Sequence, residues 1–499
     1  MIDAGLLQVL RHAVRYTAAT YVVQVITLVI ALVTKRWLGP VNVGVWASLI
    51  LLTTYLGLAQ LRITDAAQKE IAYRRGKGEE DIAALLRDVM FTVWLAVSAV
   101  LGAGVVAAAW LLPSMGSPDR RLGLALVGAL FPITQLLVCY TVMFRCHKRF
   151  ELLSRTLVLV AVANAVLQLP LTFFWGFPGY LLAYVLANVF HFVYWRLVAR
   201  DHDTTAFHLR WHWPTLRRLL EVGVPMQVGG VVTTLFRSLD QVLLVGRMGP
   251  AALGLYSIGV SVNTFVYSVP NAVSIVTFPN FQERYGQTGS RSALRDLIVI
   301  PVQAMAFVVL PAAVGGAYLL LPPLVRHVLP QFVAGIAAAQ ILLMGTFALS
   351  LNHMPGQFLI TVDRQIPGII LAAVSTGLLA AGCWLALDRG LGIVGVAAAT
   401  AVAYGFSAAS LLVAALAMAG SLRSALALVG QCAASLAWTW GAVLLALRLV
   451  PADTSSAWRD FGAAAAAGIV FLVLIAPLIA FFQRRTGLLL PLLRSGRTG

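Results

Sequence analysis

The chain has little charge. Charged side chains make up 11% of its 499 residues, against about 25% in an ordinary soluble domain. Hydrophobic residues reach 60% and mean hydropathy is +0.87, which excludes a soluble globular protein. Cysteine is scarce as well: Cys139, Cys146, Cys383 and Cys432 show no CxxC spacing, so neither a disulfide framework nor a metal site is expected. Acidic residues number 19 against 36 basic ones, a formal net charge of +17. In a soluble protein such an excess points to nucleic acid. Here the source is plainer, because basic residues collect in the cytoplasmic loops of membrane proteins, and no nucleic-acid partner is expected. Catalytic signatures are missing too: there is no GxxxxGK(S/T), no HExxH and no GxSxG between a strand and a helix. Without them there is neither a nucleotide-driven pump nor a recognisable enzyme. No small-residue cleavage site follows Arg11 and Arg15, so the first apolar helix is expected to stay in the mature protein.

What is present is a succession of long apolar runs. About 20 such residues cross a bilayer as a helix, and fourteen runs qualify, near 16–34, 43–61, 89–112, 122–144, 156–174, 179–198, 222–245, 251–277, 297–321, 336–361, 366–386, 391–418, 424–447 and 461–482. They are too long, and alternate too little, for barrel strands. If the N-terminus lies inside, alternate segments carry 26 Lys+Arg on the inner side and 9 on the outer. That asymmetry places both termini in the cytoplasm. Of the inner loops, 66–86 is expected to be a solvated hairpin. Residues 209–220, LRWHWPTLRRLL, read as an interfacial helix on anionic headgroups of the membrane lipids.

Internal repetition organises the runs. Gly39-Pro40-Val-Asn-Val-Gly44-Val-Trp46 recurs as Gly249-Pro250-Ala-Ala-Leu-Gly254-Leu-Tyr256 at an offset of 210. Gly176-Phe-Pro-Gly179 recurs as Gly392-Ile-Val-Gly395 at an offset of 216. Each repeat starts on the same side and holds six helices, so the two are parallel. The expected fold is an all-α polytopic membrane protein with two parallel six-helix lobes, 1–200 and 201–420, and two further helices with a cytoplasmic tail in 421–499.

With Gly39-Pro40 to Trp46, the basic Arg145-Cys-His-Lys-Arg149-Phe150 turn and Leu239-Asp240-Gln241 running into Gly249-Pro250 and Tyr256-Ser257, the chain resembles the Wzx-type polysaccharide-exporter flippases of the MOP superfamily. The resemblance implies that a polyprenyl-diphosphate-linked oligosaccharide is moved from the cytoplasmic to the outer leaflet of a bacterial inner membrane by alternating access. It also implies coupling to a proton or sodium gradient with no other cofactor, and work alongside a polysaccharide polymerase machinery. The rival in the same superfamily is a drug or cation antiporter, which by resemblance tends to carry a carboxylate in its first helix. Here Gln24 is the strongly polar residue of that span.

Two charges fall inside span seven, Arg237 and Asp240, where a charge costs about 2.5–3.5 kcal/mol on insertion scales. Their i, i+3 spacing lets them form a structural ion pair. Alternatively, Arg237 faces a water-filled cavity and holds a diphosphate or acidic sugar, while Asp240 orients it or relays a coupling cation. Among neutral polar residues within spans, Gln24, Asn164, Gln227 and Asn263 are candidates for lining a glycan path. His191 and His353 read as satisfied core histidines. Span eight carries Pro270 and span ten Pro355, both expected kink sites.

Overall fold

The computed structural model describes residues 4–111, 118–147, 149–200 and 207–487. These are helices and their connections, with no strand among them. Twelve helical stretches are long and apolar enough to cross a membrane, which makes the chain a multi-pass membrane protein. Two of them, Val23–Gln60 and Glu151–Val198, run 38 and 48 residues. At about 1.5 Å per residue that is about 57 and 72 Å, far beyond a hydrocarbon core of about 30 Å. Each is broken at one glycine. Helix α1 (Ala4–Gly57) breaks at Gly39, with φ 71° and ψ 172°; α5 (Phe150–Arg200) breaks at Gly176, with φ 58° and ψ −134°. Counting each as two spans gives the fourteen expected.

These breaks carry the internal repeat into the backbone. Gly249, ahead of α7 (Pro250–Thr288), has φ 81° and ψ −179°, the conformation of Gly39. Gly392, opening α13 (Gly392–Ala419), has φ 59° against 58° at Gly176. Positive φ strains any residue with a Cβ, and the proline after Gly39 and Gly249 starts the next helix with its φ already set. The second glycine of the other motif is needed for space. A Cβ on Gly179 would lie 1.9 Å from the Leu171 carbonyl oxygen, and one on Gly395 2.4 Å from Leu391 Cβ. Gly179→Ala is therefore expected to cost about 3 kcal/mol, the upper end of overpacking, because a backbone carbonyl cannot swing aside. Gly104→Ala, with nothing within 4 Å, should leave the melting temperature in detergent unchanged or raise it.

The chain forms two compact units, Met1–Val231 and Val232–Gly499, dividing inside α6 (Trp213–Met248). In the first, α2 (Ile63–Gly76), α3 (Glu80–Leu111), α4 (Pro118–Cys146) and α5 bury Ala67, Ile71, Phe91, Trp94, Tyr140 and Phe144 in one core. The 66–86 hairpin is thus two helices with one face buried, which corrects its reading as solvated. Its turn is held by Arg74 donating to Glu79 and Arg75 to Glu80. The Arg74 hydrogen bond holds the Glu79 carboxyl below the usual glutamate range. That contribution is present at neutral pH and is lost as pH falls through the lowered value.

The interfacial helix over 209–220 is also corrected. Residues 207–212 are not helical, because their backbone is committed elsewhere: His208 N donates to Asp88 Oδ1 at 3.3 Å and Arg210 N to Thr92 Oγ1 at 2.8 Å. Phe207 stacks on Phe91 at 4.2 Å. Helix begins at Trp213 and runs straight into span seven. Leu209, Trp211 and Trp213 remain exposed, but Arg217 and Arg218 of the basic cluster are paired, with Glu221 and Glu70.

In the second unit, span nine is α8 (Arg295–Ala304), a π-helical turn (Met305–Val309) and α9 (Leu310–Val328). Span ten is α10 (Ile336–Ser350) and α11 (His353–Thr361), separated by a two-residue turn. Pro355 sits in the first turn of α11, where its missing N–H costs nothing. Pro270 lies within α7, which is one continuous helix. Helix α12 (Gln365–Asp388) leads into α13. Helices α14 (Leu422–Leu449) and α15 (Ala457–Thr486) are tied along span nine. Ser435 Oγ donates to the Ala306 carbonyl of the π turn at 2.5 Å, Phe471 fills the space where Gly315 lacks a side chain, and Asp460 meets Arg326 and His327.

Candidate substrate and coupling sites

Helix α6 presents its two charges in different directions. Three residues advance a helix by about 300°, leaving about 60° between side chains, enough to place one outside and one inside. Asp240 is 3% exposed. Its Oδ2 accepts from the Tyr256 hydroxyl at 2.6 Å and the Thr400 hydroxyl at 3.4 Å, and its Oδ1 from the Gln241 N–H at 2.8 Å. Arg237 is exposed, with its guanidinium over the Tyr267 ring at 4.6 Å. No ion pair joins the two among the described residues, so the structural ion pair that the spacing allowed does not form, and Asp240 does not orient the arginine directly.

Asp240 stands apart from the other buried carboxylates. Among the described residues these are Glu70, Asp88, Asp240 and Asp460. Glu70 pairs with Arg218, Asp88 with Arg87 and Asp460 with Arg326. Asp240 has only hydroxyls and an amide. The repeat shows that this polar node is no requirement of the fold. At an offset of 210 Tyr256 corresponds to Trp46, and at 216 Thr400 corresponds to Tyr184. In the first unit that pair meets as two rings 4.8 Å apart, and Ile30 occupies the position of Asp240.

Arg237, Asp240 and Asn263 share a cavity of about 40 Å³ with Tyr404, room for a water molecule or so. Next to it, Tyr267 also meets His353, ring centroids 4.6 Å apart. The first unit holds a larger cavity of about 430 Å³, whose polar lining includes Arg145, Asn164, Gln168, Tyr180, His191 and Trp195. Among the described residues no carboxylate lines it. Among the described residues His191 Nε2 and His353 Nε2 have no hydrogen-bond partner, so neither is the satisfied core histidine that was expected. Gln24 and Gln227 line neither cavity. Gln227 is buried, its amide donating to the Leu58 carbonyl at 2.9 Å where the first helix ends. Of the six candidates, three therefore gather in the second unit and Asn164 stands in the first. Tyr267 and Thr400 were not legible in the sequence, since nothing marks them before the fold brings them to Arg237 and Asp240. Tyr256 was visible as the aromatic position of the repeat. No group of three or more His, Cys, Asp or Glu that could hold a metal occurs among the described residues.

Comparison with known proteins fits this architecture. The fold matches the lipid II flippase MurJ in its inward closed conformation with a TM-score of 0.68 at 11% identity, covering 94% of this chain and 99% of that one. An inward-facing multidrug resistance MATE transporter of the MOP superfamily matches at 0.67 and 14%, over 83% and 99%. A MOP superfamily transporter from Pyrococcus furiosus, described as having a binding pocket of reverse polarity, matches at 0.55 and 17%, over 86% and 96%. No curated protein matches by sequence. The sequence profile of the family described as "Polysaccharide biosynthesis protein" matches residues 9–284, more than half of the chain. By this match the chain belongs to the polysaccharide biosynthesis protein family, with the fold of the MOP superfamily transporters.

Proposed function

We propose that the protein is a transporter rather than an enzyme, and that it flips a polyprenyl-diphosphate-linked oligosaccharide from the cytoplasmic to the outer leaflet of a bacterial inner membrane by alternating access. The observation carrying this reading is the state of Arg237: a guanidinium inside a membrane span, exposed and resting on a tyrosine face instead of a carboxylate. A planar fork with its charge unneutralised suits phosphate oxygens, and a cation–π contact is easily exchanged for them. Asn263 completes the contact. Asp240 takes a separate role as the site of a coupling proton or sodium ion, because its hydroxyl and amide partners leave its charge to be balanced by a cation. On this reading the chain divides into lobes 1–200 and 201–420 and an appended pair in 421–499, and it works beside the polymerase that consumes the flipped glycan.

The MATE likeness favours a second reading, a drug or cation antiporter. Against it stands the first-unit cavity, whose lining, among the described residues, offers an organic cation no carboxylate. Purified protein in proteoliposomes should move a labelled lipid-linked oligosaccharide down an imposed ion gradient. Efflux of cationic dyes without glycan movement would establish the antiporter instead.

Orientation is open to direct measurement. The four native cysteines are buried, so single introduced thiols report cleanly. Lys77→Cys should resist an impermeant thiol reagent in intact cells and Thr454→Cys should react. The opposite pattern would invert the assignment of both termini to the cytoplasm.

A further inference from the structure

The first-unit cavity has a volume within the about 300–1,000 Å³ of small-molecule sites and runs along α5 from Leu153 to Gln168, about 22 Å of helix. Its character changes along that length. At one end, beside the α4–α5 turn, stands Arg145, exposed and cationic. Further in come the amides of Asn164 and Gln168, the phenol of Tyr180 and the rings of His191 and Trp195. His191 Nε2 and Trp195 Nε1 are buried without a hydrogen-bond partner among the described residues, and their rings lie 4.5 Å apart. These two nitrogens expose no surface to the cavity as it stands, so the polar side chains that an occupant meets on this lining are led by Arg145, Asn164 and Gln168.

The fold itself does not demand this lining. At the offset of 216, Asn164, Gln168, His191 and Trp195 correspond to Ala380, Trp384, Ser407 and Leu411, so neither amide of this lining has a counterpart in the second unit, and the histidine is replaced by a serine that accepts from Asn352. The chemistry narrows the occupant further. Amides bind hydroxyls, aromatic faces cover the apolar side of a pyranose, a cation sits at one end, and among the described residues no carboxylate lines the walls. We infer that this cavity is a saccharide pocket, which takes the proximal sugar rings of the carried glycan with an acidic group, phosphate or sugar carboxylate, at Arg145. The inference rests on the flippase reading above and adds to it the part of the chain that recognises the glycan itself. It makes the first unit the selector and leaves Arg237 of the second unit to hold charge. A pocket for a lipid tail, which would use only the apolar walls, is the alternative the experiment separates.

The test measures binding of glucose 1-phosphate, galactose 1-phosphate, N-acetylglucosamine 1-phosphate and free glucose to the full chain in nanodiscs, read by tryptophan fluorescence and calorimetry. At least one hexose 1-phosphate should bind, and more tightly than free glucose. Arg145→Glu, an exposed change that keeps the fold, should weaken the phosphorylated sugar by about 10-fold or more, the loss of a charge-assisted hydrogen bond, and leave free glucose unaffected. Asn164→Leu/Gln168→Leu, checked for an unchanged melting temperature, should weaken both. Binding untouched by these substitutions, or no sugar bound by protein that does move a lipid-linked glycan, would overturn the pocket and leave the flippase standing. Sugar binding with the expected losses in protein that moves no lipid-linked glycan would do the reverse.

Discussion

Arg237→Ala is expected to reduce glycan flux in proteoliposomes by about 100-fold, corresponding to about 3 kcal/mol for a lost charge-assisted contact with a phosphate. The folded protein should barely notice, because what it loses is one cation–π contact worth about 0.5–1 kcal/mol. Arg237→Lys keeps the charge without the two-pronged geometry, so its flux should fall between. The separation of the two charged groups sharpens the test. An ion pair would make Asp240→Asn partly rescue Arg237→Ala. With Asp240 bound to Tyr256 and Thr400 instead, the stability effects should add to within about 0.5 kcal/mol. The transport defects should differ in kind: Arg237→Ala should act at every ion gradient, and Asp240→Asn should remove the gradient dependence. Rescue of flux in the double variant would return the pair to a structural role.

Asp460→Ala should be the most damaging single change at the junction of α15 with α9. The carboxylate is 1% exposed and receives Arg326 at 3.2 Å and His327 at 3.0 Å. Removing one partner of a buried charge cluster costs about 3–5 kcal/mol, and Arg326, a third exposed, recovers enough water to put the loss near about 3 kcal/mol. The measurable result is a lower melting temperature together with faster proteolysis of the 451–457 connection. Asp460→Asn, which keeps the acceptor oxygen, should lose less. Unchanged melting in Asp460→Ala would mean that α15 is held by apolar packing such as that of Phe471 against Gly315, and not by this charge cluster.

The spans were legible in the sequence because bilayer length leaves few alternatives for an apolar run. The reversals were legible because only glycine tolerates the backbone at residues 39, 176, 249 and 392, and two of these precede a proline. Where the reading failed, a tertiary contact decided. Residues 209–212 have an amphipathic helical pattern, yet Asp88 and Thr92, about 120 positions earlier, take the N–H groups of His208 and Arg210. Arg237 and Asp240 looked like neighbours because spacing along a helix is visible, whereas Thr400, which settles where Asp240 points, lies 160 residues away. Glutamine was the least readable side chain. Gln227 mends a helix end, and nothing in its surroundings along the chain sets it apart from a residue that lines a cavity.

If Asp240 carries the coupling ion as proposed, the unequal endowment of the two repeats also limits the energetics of a turnover. One half carries Ile30, Trp46 and Tyr184 where the other carries Asp240, Tyr256 and Thr400, so a turnover coupled through this node moves one monovalent ion rather than two. One elementary charge crossing about 100 mV contributes about 2.3 kcal/mol, a factor of about 50 in the cargo ratio at RT of about 0.59 kcal/mol, to which the ion's own concentration gradient and the charge on the cargo add their terms. On the proposed reading, a carrier coupled to one ion stalls at a lower product ratio than one coupled to two, so its export should depend on how fast polymerisation or ligation drains the outer leaflet.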